Sequence, residues 1–346
     1  MKKYSETFVD EFAELAVDAR TLQSELPRES AKFCEGRSYT QLLTRPARDV
    51  VCAIVVTFNP DSDLCSRLER ITKQLPRVVI VDNCSTAPCV AQVTKFADKL
   101  GIHLILNRSN LGIARALNQG VTWAAEQGFG WVLTLDQDTI IAPEMVDSLA
   151  RVYRASTSPA AIAIIGSNFR RPGNATPLHN FINLNGVFGR EVKTVITSGS
   201  LISLDVFHAI GGFRDDFFID SVDLEYCLRA RAHGFRVMLS SMPLMNHSIG
   251  RVSEHRLPWK NTGTSNHPPW RRYFMARNSI ILAREYIGKE PAWVLSSLWS
   301  GVKSILLVLF FERERLPKIR YFAVGFIDGV LGRTNRLHPS LSESRR

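Results

Sequence analysis

The sequence has few cysteines for its length, and this scarcity excludes one class of protein. Six cysteines in 346 residues make no disulfide framework. The pair Cys84 and Cys89 is spaced wrongly for a zinc knuckle and has no second pair, so we predict that both are free thiols. Reduced cysteines are typical of the cytosol. The polar N-terminus leads into no apolar run, so no secretory signal is expected.

A nucleic-acid motif is also lacking, and the sequence shows no interleaving of basic and aromatic residues. Both absences argue against a nucleic-acid partner. The net charge of +10 is unevenly placed, because residues 270–346 hold 14 Lys/Arg against 6 Asp/Glu. This basic surplus adjoins the most apolar stretch of the chain, residues 293–311. The pattern favours an anionic membrane surface or an anionic substrate.

Apolar runs alternate with helical patterns from residue 50 onward. The four runs are Val50–Val56, Val78–Asp82, His103–Leu106 and Trp131–Leu135. Continuous apolar runs are typical of strands buried on both faces. Their alternation with amphipathic helices predicts an α/β fold with a parallel, doubly wound sheet. Ligands of such sheets bind beyond the carboxyl ends of the strands, so the candidate ligand-binding residues are Thr57, Asp82, Asn110 and Asp136.

Beyond residue 166 the pattern loosens. Residues 168–189 are rich in Asn, Gly and Pro and are interpreted as loops. We predict two short strands within 192–204, a helix over 223–233 and a strand over 235–239. Residues 270–287 and 291–330 are predicted to be helical.

Asp136 and Asp138 stand two residues apart, directly after the fourth predicted strand. Both side chains can turn towards one hard cation, and carboxylate oxygens suit Mg2+ or Mn2+, particularly when phosphates complete the shell. A turn with Asp at helix-capping positions is the alternative. The presence of Asp82 at a neighbouring strand end favours the metal site.

Three further residues have two interpretations each. Asp82 either accepts the imide N–H of a pyrimidine or closes a turn in Asp-Asn-x-Ser, and one residue could do both. Asn110 either begins a helix that approaches a ribose or phosphate, or is a plain N-cap. Arg115 is either a solvated charge or a diphosphate contact.

Five segments together carry a resemblance to a known family. They are Thr57-Phe-Asn-Pro, Val81-Asp82-Asn-x-Ser, Asn110-Leu-Gly112, Leu135-Asp136-Gln-Asp138 and the segment from Phe217 to Arg229. From about residue 53 to 284 the chain resembles family 2 inverting glycosyltransferases of the GT-A fold. It is most similar to bacterial rhamnosyltransferases of O-antigen and cell-wall glycan assembly.

The resemblance implies a nucleotide-sugar site and a metal site. The nucleotide-sugar residues would be Thr57, Asp82, Asn110, Gly112, Arg115 and Asp136. Asp138 would be the main ligand of Mn2+ or Mg2+, with Asp136 on the ribose or the metal. His247 would complete the metal and diphosphate shell, although a lone histidine is more often packed in a core.

The resemblance also implies a catalytic base, Asp223, and an acceptor site. The acceptor residues would be Ser198, Gly199, Ser200, Asp220, Glu225, Arg229 and Arg277. Asp220 and Glu225 compete with Asp223 as base. Asp220 could instead cap the helix that Asp223 begins, and Glu225 either faces the acceptor or pairs with Arg229. Arg277 either meets an acceptor phosphate or forms a surface ion pair.

These expectations define three regions. Residues 1–48 form an N-terminal extension. Residues 49–269 form the GT-A domain, with a nucleotide-binding half (49–140) and an acceptor half (141–269). Residues 270–346 form a basic, apolar, helical region. Its stretch 293–311 is borderline for a bilayer span of about 20 residues. We favour helices lying in the headgroup region over a core-packed helical domain or a true span.

The sequence therefore predicts a metal-dependent inverting glycosyltransferase. Its expected donor is dTDP-L-rhamnose, and its expected acceptor is a polyprenyl-diphosphate-linked glycan at the cytoplasmic face of the cell membrane. Another UDP- or dTDP-hexose is the alternative donor. The chain lacks the Gln-x-x-Arg-Trp motif of processive synthases and the Gly-rich triphosphate loop of sugar nucleotidyltransferases. A membrane-bound scaffold that binds nucleotide-sugar without turnover is the non-enzyme alternative.

Overall fold

The computed structural model describes residues 44–170, 177–179, 188–247, 253–256, 261–264 and 266–334. The described chain divides into two compact units. The first contains residues 44–170, 177–179, 188–218 and 222–247, and the second contains residues 219–221, 253–256, 261–264 and 266–334. Most of the predicted N-terminal extension, and much of the predicted loop 168–189, lies outside the described residues.

The first unit is built on a nine-stranded sheet. Its strands are β1 (Val51–Thr57), β2 (Val78–Asp82), β3 (His103–Leu106), β4 (Trp131–Asp136), β5 (Ile140–Ile141), β6 (Ile162–Arg170), β7 (Gly189–Glu191), β8 (Ser200–Ser203) and β9 (Arg236–Asn246). The strand order is β3-β2-β1-β4-β8-β6-β9-β5, and β7 pairs with β9.

The first four strands match the four apolar runs and are parallel to their neighbours, as predicted. β1 is buried along its whole length, since helices cover such a sheet on both faces. The strand register places Thr57 opposite Asp82, and Val56 opposite Asp136. Three strands therefore end side by side, and each brings a polar residue to the same edge.

Beyond β4 the sheet is mixed. β8 is antiparallel to both β4 and β6, whereas β6 and β9 are parallel. The residues directly before β8, 192–199, are not helical, and parallel neighbours are usually joined through a helical crossover. The prediction of two strands within 192–204 is half wrong, because only Ser200–Ser203 forms one.

Six helices accompany this sheet. They are α1 (Leu64–Thr72), α2 (Ala87–Leu100), α3 (Ile113–Glu126), α4 (Met145–Ala155), α5 (Leu204–Ile210) and α6 (Val222–Ala232). Their apolar faces join the strands in a continuous core, to which Leu68, Val93 and Leu149 contribute. The helix predicted at 223–233 is α6.

The second unit consists of a small hairpin and three helices. They are β10 (Ser253–Arg256), β11 (Asn261–Thr264), α7 (Pro269–Tyr286), α8 (Pro291–Phe311) and α9 (Arg315–Val330). A Cβ atom added to Gly325 would clash with the carbonyl oxygen of Tyr273, and one added to Gly329 would lie 2.8 Å from that of Arg277. The two glycines therefore let α9 pack against the backbone of α7.

The five cysteines in the described chain are all free thiols, so the prediction for Cys84 and Cys89 is confirmed. Burial raises the pKa of Cys52 and of Cys227 to about 12. Both thiols therefore stay protonated near neutral pH and behave as small apolar side chains.

Candidate functional site

The ends of β1 and β2 hold a buried carboxylate in place. Thr57 Oγ1 donates to Asp82 Oδ2 at 2.8 Å. Ser85 donates its backbone N–H to Oδ1 at 2.9 Å and its hydroxyl to Oδ2 at 2.6 Å. Asp82 thus closes the turn that the sequence indicated. An ionised carboxylate has about four acceptor positions, so these three bonds leave capacity for one more donor.

An asparagine network shapes the loop before α3. Asn83 Oδ1 accepts from the backbone N–H of Leu111 at 2.9 Å, and Asn83 Nδ2 donates to Asn110 Oδ1 at 2.9 Å. Asn110 Oδ1 also accepts from the backbone N–H of Gly112 at 3.0 Å. The N-cap of α3 is Gly112, two residues after Asn110. Of the two interpretations of Asn110, the plain N-cap is therefore wrong by two positions, because Asn110 fixes the loop that leads to the helix. Its contact with a ribose or phosphate stays a prediction.

Gly112 is required where it stands. Its φ is +85°, and an added Cβ would lie 2.6 Å from the carbonyl oxygen of Phe218. The same oxygen accepts from the backbone N–H of Ile113 at 2.7 Å. Arg115, one turn into the helix, has a side chain 59% exposed, with Nε 4.0 Å from Asp215 Oδ2. In this structure Arg115 is a largely solvated charge.

Two carboxylates and an imidazole meet at the end of β4. The residues are Asp136, Asp138 and His247, whose ligand atoms all lie within 4.8 Å of one another. His247 Nε2 is 3.7 Å from Asp136 Oδ2, and His247 Nδ1 is 3.5 Å from Asp138 Oδ1. The sequence placed the two aspartates together, and only the resemblance added His247, which follows β9 far along the chain.

The hydroxyl groups of Thr139 and Ser198 lie next to this group and contact it. Thr139 Oγ1 lies 3.2 Å from His247 Nδ1 and 2.6 Å from Ser198 Oγ. Ser198 Oγ also accepts from the backbone N–H of Asp136 at 3.1 Å. Sequence reasoning did not single out Thr139, although it directly follows Asp138. Its position in the turn that follows a buried strand could have identified it as a candidate site residue.

The electrostatics of the group suit a cation. Burial disfavours the charged form of His247, but the contact with Asp138 and the charges of Asp136 and Asp138 outweigh it, so the pKa of His247 lies above its usual value. Both aspartates are about two-fifths exposed, whereas His247 is nearly buried. Two carboxylate oxygens and one imidazole nitrogen form a donor set that fits Mn2+ or Mg2+. Binding a metal would displace the proton that the carboxylates favour on the ring.

The three loop residues predicted to bind the acceptor, Ser198, Gly199 and Ser200, have different surroundings in the structure. Ser198 lies beside the group of Asp136, Asp138 and His247, as described above. Gly199 has a φ of +75°, and its backbone N–H bonds to the carbonyl of Thr134 at 2.8 Å. Ser200 is buried in β8 and donates its hydroxyl to the Ile196 carbonyl at 2.6 Å. Ser200 therefore stabilises the loop and offers no surface to a ligand.

Asp223 lies in the first turn of α6, as the sequence predicted. Its Oδ1 accepts from the backbone N–H of Leu224 at 2.9 Å. A carboxylate at this end of a helix is favoured in its ionised form by the helix dipole. A carboxyl group must be ionised to accept a proton as a general base.

Glu225 and Arg229 form a bidentate ion pair on α6, at 2.8 and 2.9 Å. Glu225 is only 2% exposed. Arg229 also donates to the carbonyl oxygens of Ile210, Gly211 and Gly212 at 2.6–2.7 Å. Of the two interpretations of Glu225, the structure has the pairing with Arg229. Both side chains tie α6 to the end of α5.

In the second unit, Ile219 and Asp220 are held by α7. Arg271 forms a forked ion pair with the Asp220 carboxylate, at 2.8 and 2.9 Å. Asn278 donates to the carbonyl oxygens of Ile219 and Asp220 at 2.9 and 2.8 Å. Asp220 and Ser221 have φ values of +65° and +62°, a strained backbone for residues with side chains. The carboxylate of Asp220 is thus engaged with Arg271.

Arg277 is 1% exposed, which excludes the surface ion pair of its two interpretations, and the contact with an acceptor phosphate stays a prediction. Its guanidinium lies 4.9 Å from the ring centroid of Phe274 and 5.5 Å from that of Tyr273. Its Nε donates to Asn278 Oδ1 at 3.0 Å. The aromatic residues three and four positions earlier on α7 cover the charge, because i−3 and i−4 lie on the same face of a helix.

Comparison with known proteins gives concordant results. A profile described as "Glycosyl transferase family 2" matches residues 52–216. The chain is 28% identical over 298 residues to a protein of Shigella flexneri named dTDP-rhamnosyl transferase RfbF. The aligned region covers 82% of this chain and 96% of that protein.

Two solved structures show the fold. One is S. aureus TarS 1-349 in complex with UDP-GlcNAc, with a TM-score of 0.54, 19% identity and coverage of 85% of this chain and 87% of that one. The other is the mannosyltransferase PcManGT from Pyrobaculum calidifontis in complex with GDP-Man and Mn2+, with a TM-score of 0.53, 13% identity and coverage of 88% and 93%. The predicted GT-A fold is confirmed.

Proposed function

We propose that the chain is a metal-dependent inverting glycosyltransferase, because the profile described as "Glycosyl transferase family 2" matches residues 52–216. The observation that carries the proposal is the group of Asp136, Asp138 and His247 beside the strand end that holds Asp82. A nucleoside diphosphate needs a cation for its phosphates and a polar partner for its base. Both kinds of group stand at one edge of the sheet.

In this proposal Asp82, oriented by Thr57 and Ser85, accepts the imide N–H of a pyrimidine base. Asp138 and His247 hold Mn2+ or Mg2+, and Asp136 contacts the metal or the ribose. When bound, the cation supplies Lewis-acid stabilisation of the negative charge on the departing diphosphate. Asn110 and Gly112 shape the adjoining loop through their own hydrogen bonds.

Asp223 is the proposed general base. An acceptor hydroxyl is a poor nucleophile, so it must lose its proton to a carboxylate as its oxygen bonds to the anomeric carbon. The bond from that carbon to the diphosphate oxygen breaks in the same displacement, which inverts the configuration. A single base suffices, and Asp220 and Glu225 are engaged by Arg271 and Arg229.

For the donor we propose dTDP-L-rhamnose, with another UDP- or dTDP-hexose as the alternative. The support is the Shigella flexneri relative, which is named a dTDP-rhamnosyl transferase and is aligned over almost its whole length. For the acceptor we propose a polyprenyl-diphosphate-linked glycan of cell-surface polysaccharide assembly. Such an acceptor stays in the bilayer, and α8 is long and apolar enough to interact with one. The enzyme would then work at the cytoplasmic face of the cell membrane.

The test is a calorimetric titration of the purified chain with dTDP-L-rhamnose, UDP-glucose and UDP-galactose, each with Mn2+ or with EDTA. We expect Mn2+-dependent binding with a preference for dTDP-L-rhamnose. Asp138→Asn should lose that metal dependence, whereas Asp98→Asn, an exposed aspartate on α2, should not.

Other outcomes would contradict parts of the proposal. A preference for a UDP-hexose would change the donor. Release of pyrophosphate from dTTP and a sugar 1-phosphate would indicate a sugar nucleotidyltransferase. Donor binding without transfer to a lipid-linked acceptor extract would indicate a binding scaffold.

A further inference from the structure

Helix α8 exposes a row of large apolar side chains. Leu295, Trp299, Val302, Leu306 and Phe310 recur at intervals of three or four residues and are between 46% and 67% exposed. Residues at that spacing lie on one face of a helix. Within the described chain, no other helix carries so long an uninterrupted apolar row facing solvent. We call these five residues the α8 row.

Other residues of α8 face its own unit. Trp293, Val294 and Val308 are buried. Ser304 Oγ accepts a hydrogen bond from Arg272 of α7 at 3.0 Å. The helix is therefore already packed along one side, and the α8 row is what remains uncovered.

The exposed charges around the row are mostly basic, with Glu314 as the acidic exception. Lys303, the one charged residue within α8, places Nζ 5.8 Å from the ring centroid of Trp299. Arg313 and Arg315 follow the end of the helix, and both are exposed, as is Arg320 on α9. Tryptophan beside lysine or arginine is the combination found at membrane–water interfaces. An anionic headgroup layer complements such a surface.

We propose that the α8 row inserts into the headgroup region of an anionic lipid bilayer, with α8 lying in the plane of the membrane. This inference rests on the proposed function, since a lipid-linked acceptor requires an enzyme at the membrane surface. Beyond the proposed function, the inference specifies three things: the residues that enter the lipid, the charge of the lipid, and the orientation of the helix.

The orientation follows from length and polarity. With 21 residues, α8 is long and apolar enough to cross a bilayer. The α8 row, however, covers 15 residue steps, or roughly 22 Å, whereas the hydrocarbon core is about 30 Å thick. A spanning helix would also carry Ser304 and the guanidinium of Arg272 to membrane depth, where unpaired polar groups are costly. An in-plane helix keeps this contact inside the protein.

The experiment is flotation of the full chain with vesicles of phosphatidylcholine alone or with 30% phosphatidylglycerol. The test variant is Trp299→Gln with Phe310→Gln. The matched control is Leu106→Gln with Met242→Gln, which removes two exposed apolar side chains from the first unit. We expect the control to float like the parent chain and the test variant to lose binding at least tenfold.

A second variant tests the charge component. Arg313→Gln with Arg320→Gln should weaken binding to the anionic vesicles by roughly 30-fold at low salt, since each cation near such a surface contributes about 1 kcal/mol. Binding to phosphatidylcholine alone should change little. Equal loss on both vesicles would overturn the electrostatic part.

Three results would overturn the inference. The first is absence of flotation while Mn2+-dependent donor binding persists, which also separates this failure from failure of the proposed function. The second is a dimer in light scattering that Trp299→Gln with Phe310→Gln dissociates, which would assign the row to a second copy of the chain. The third is retention in the vesicles after alkaline carbonate extraction, which would indicate a spanning helix.

Discussion

Thr57 donates a hydrogen bond to Asp82 at 2.8 Å across the paired ends of β1 and β2, where each residue is at most 1% exposed. Thr57→Val keeps the shape of the side chain and removes this donor. A buried acceptor that loses its partner costs about 1–3 kcal/mol, so we expect the free energy of unfolding to fall by about that amount. Urea denaturation measures the change, and nucleotide titration should show weaker binding.

The control for Thr57→Val is Thr72→Val. The Thr72 hydroxyl bonds only to the carbonyl of Glu69 in its own helix, so its loss should change stability by about 0.5 kcal/mol or less. Equal destabilisation of the two variants would mean that the bond to Asp82 contributes nothing particular to the site.

Thr139 supports the proposed metal ligands without being one of them. Its hydroxyl lies between His247 and Ser198, so Thr139→Val should leave the three ligand side chains present but free to rotate. Loss of such outer partners typically costs 10–100-fold in metal affinity. We expect that loss for Mn2+, measured by electron paramagnetic resonance. Thr122→Val, on the exposed side of α3, is the control and should bind Mn2+ like the parent chain.

Asp223→Asn removes the proposed base and leaves the proposed donor site untouched. We expect kcat for sugar transfer to fall by about 10²–10⁴-fold, with unchanged affinity for the donor. The remaining activity should also lose the acidic limb of the kcat–pH profile, because that limb reports the base.

The two rival carboxylates provide the comparison. Asp220→Asn and Glu225→Gln should lower stability, because each breaks a bidentate pair with an arginine, but should keep the acidic limb. Loss of that limb in either variant, with Asp223→Asn active, would reassign the base.

Part of the site could be predicted from local patterns. Buried runs followed by Thr57, Asp82 and Asp136 are enough to place these side chains at one sheet edge, because parallel strands end on the same side. The reversal at β8 could not be predicted this way, since direction depends on how a distant segment returns to the sheet. His247 is separated from Asp138 by more than 100 residues, and residue periodicity says nothing about such a meeting.

The burial of Arg277 could not be predicted from the sequence either, for a different reason. An arginine on a helix in a basic region is ordinarily a solvated charge, and the sequence contains no nearby carboxylate that would predict burial. Its burial depends on Phe274 and Tyr273 from its own helix and on Gly329, whose missing side chain lets α9 approach the backbone at Arg277. Tertiary packing of this kind overrides the preference of the isolated residue.

Glu312 lies between two buried cations. Its carboxylate contacts Arg272 at 2.6 Å and Lys318 at 3.0 Å, and all three side chains are at most 5% exposed. Glu312→Gln would leave two buried positive charges without a counter-charge, which typically costs about 3–5 kcal/mol. We expect a loss of that order in urea denaturation of the second unit. Glu314→Gln, at an exposed position two residues on, should be within about 0.5 kcal/mol of the parent chain.

We expect His267 to make the same unit sensitive to acid. Burial and the charges of Arg271 and Arg272 outweigh those of Asp220 and Glu312 and lower the pKa of His267 to about 4. The unfolded chain, with a pKa near 6.5, then binds a proton that the folded chain does not. The free energy of unfolding should therefore fall as the pH drops from about 6.5 towards about 4, by at most about 1.4 kcal/mol per pH unit from this residue.

The measurement is the free energy of unfolding as a function of pH. His267→Gln should flatten that curve between about pH 6.5 and 4 relative to the parent chain, whereas His208→Gln, on α5 of the first unit, should leave it unchanged. Identical slopes for all three proteins would show that His267 does not govern the acid response.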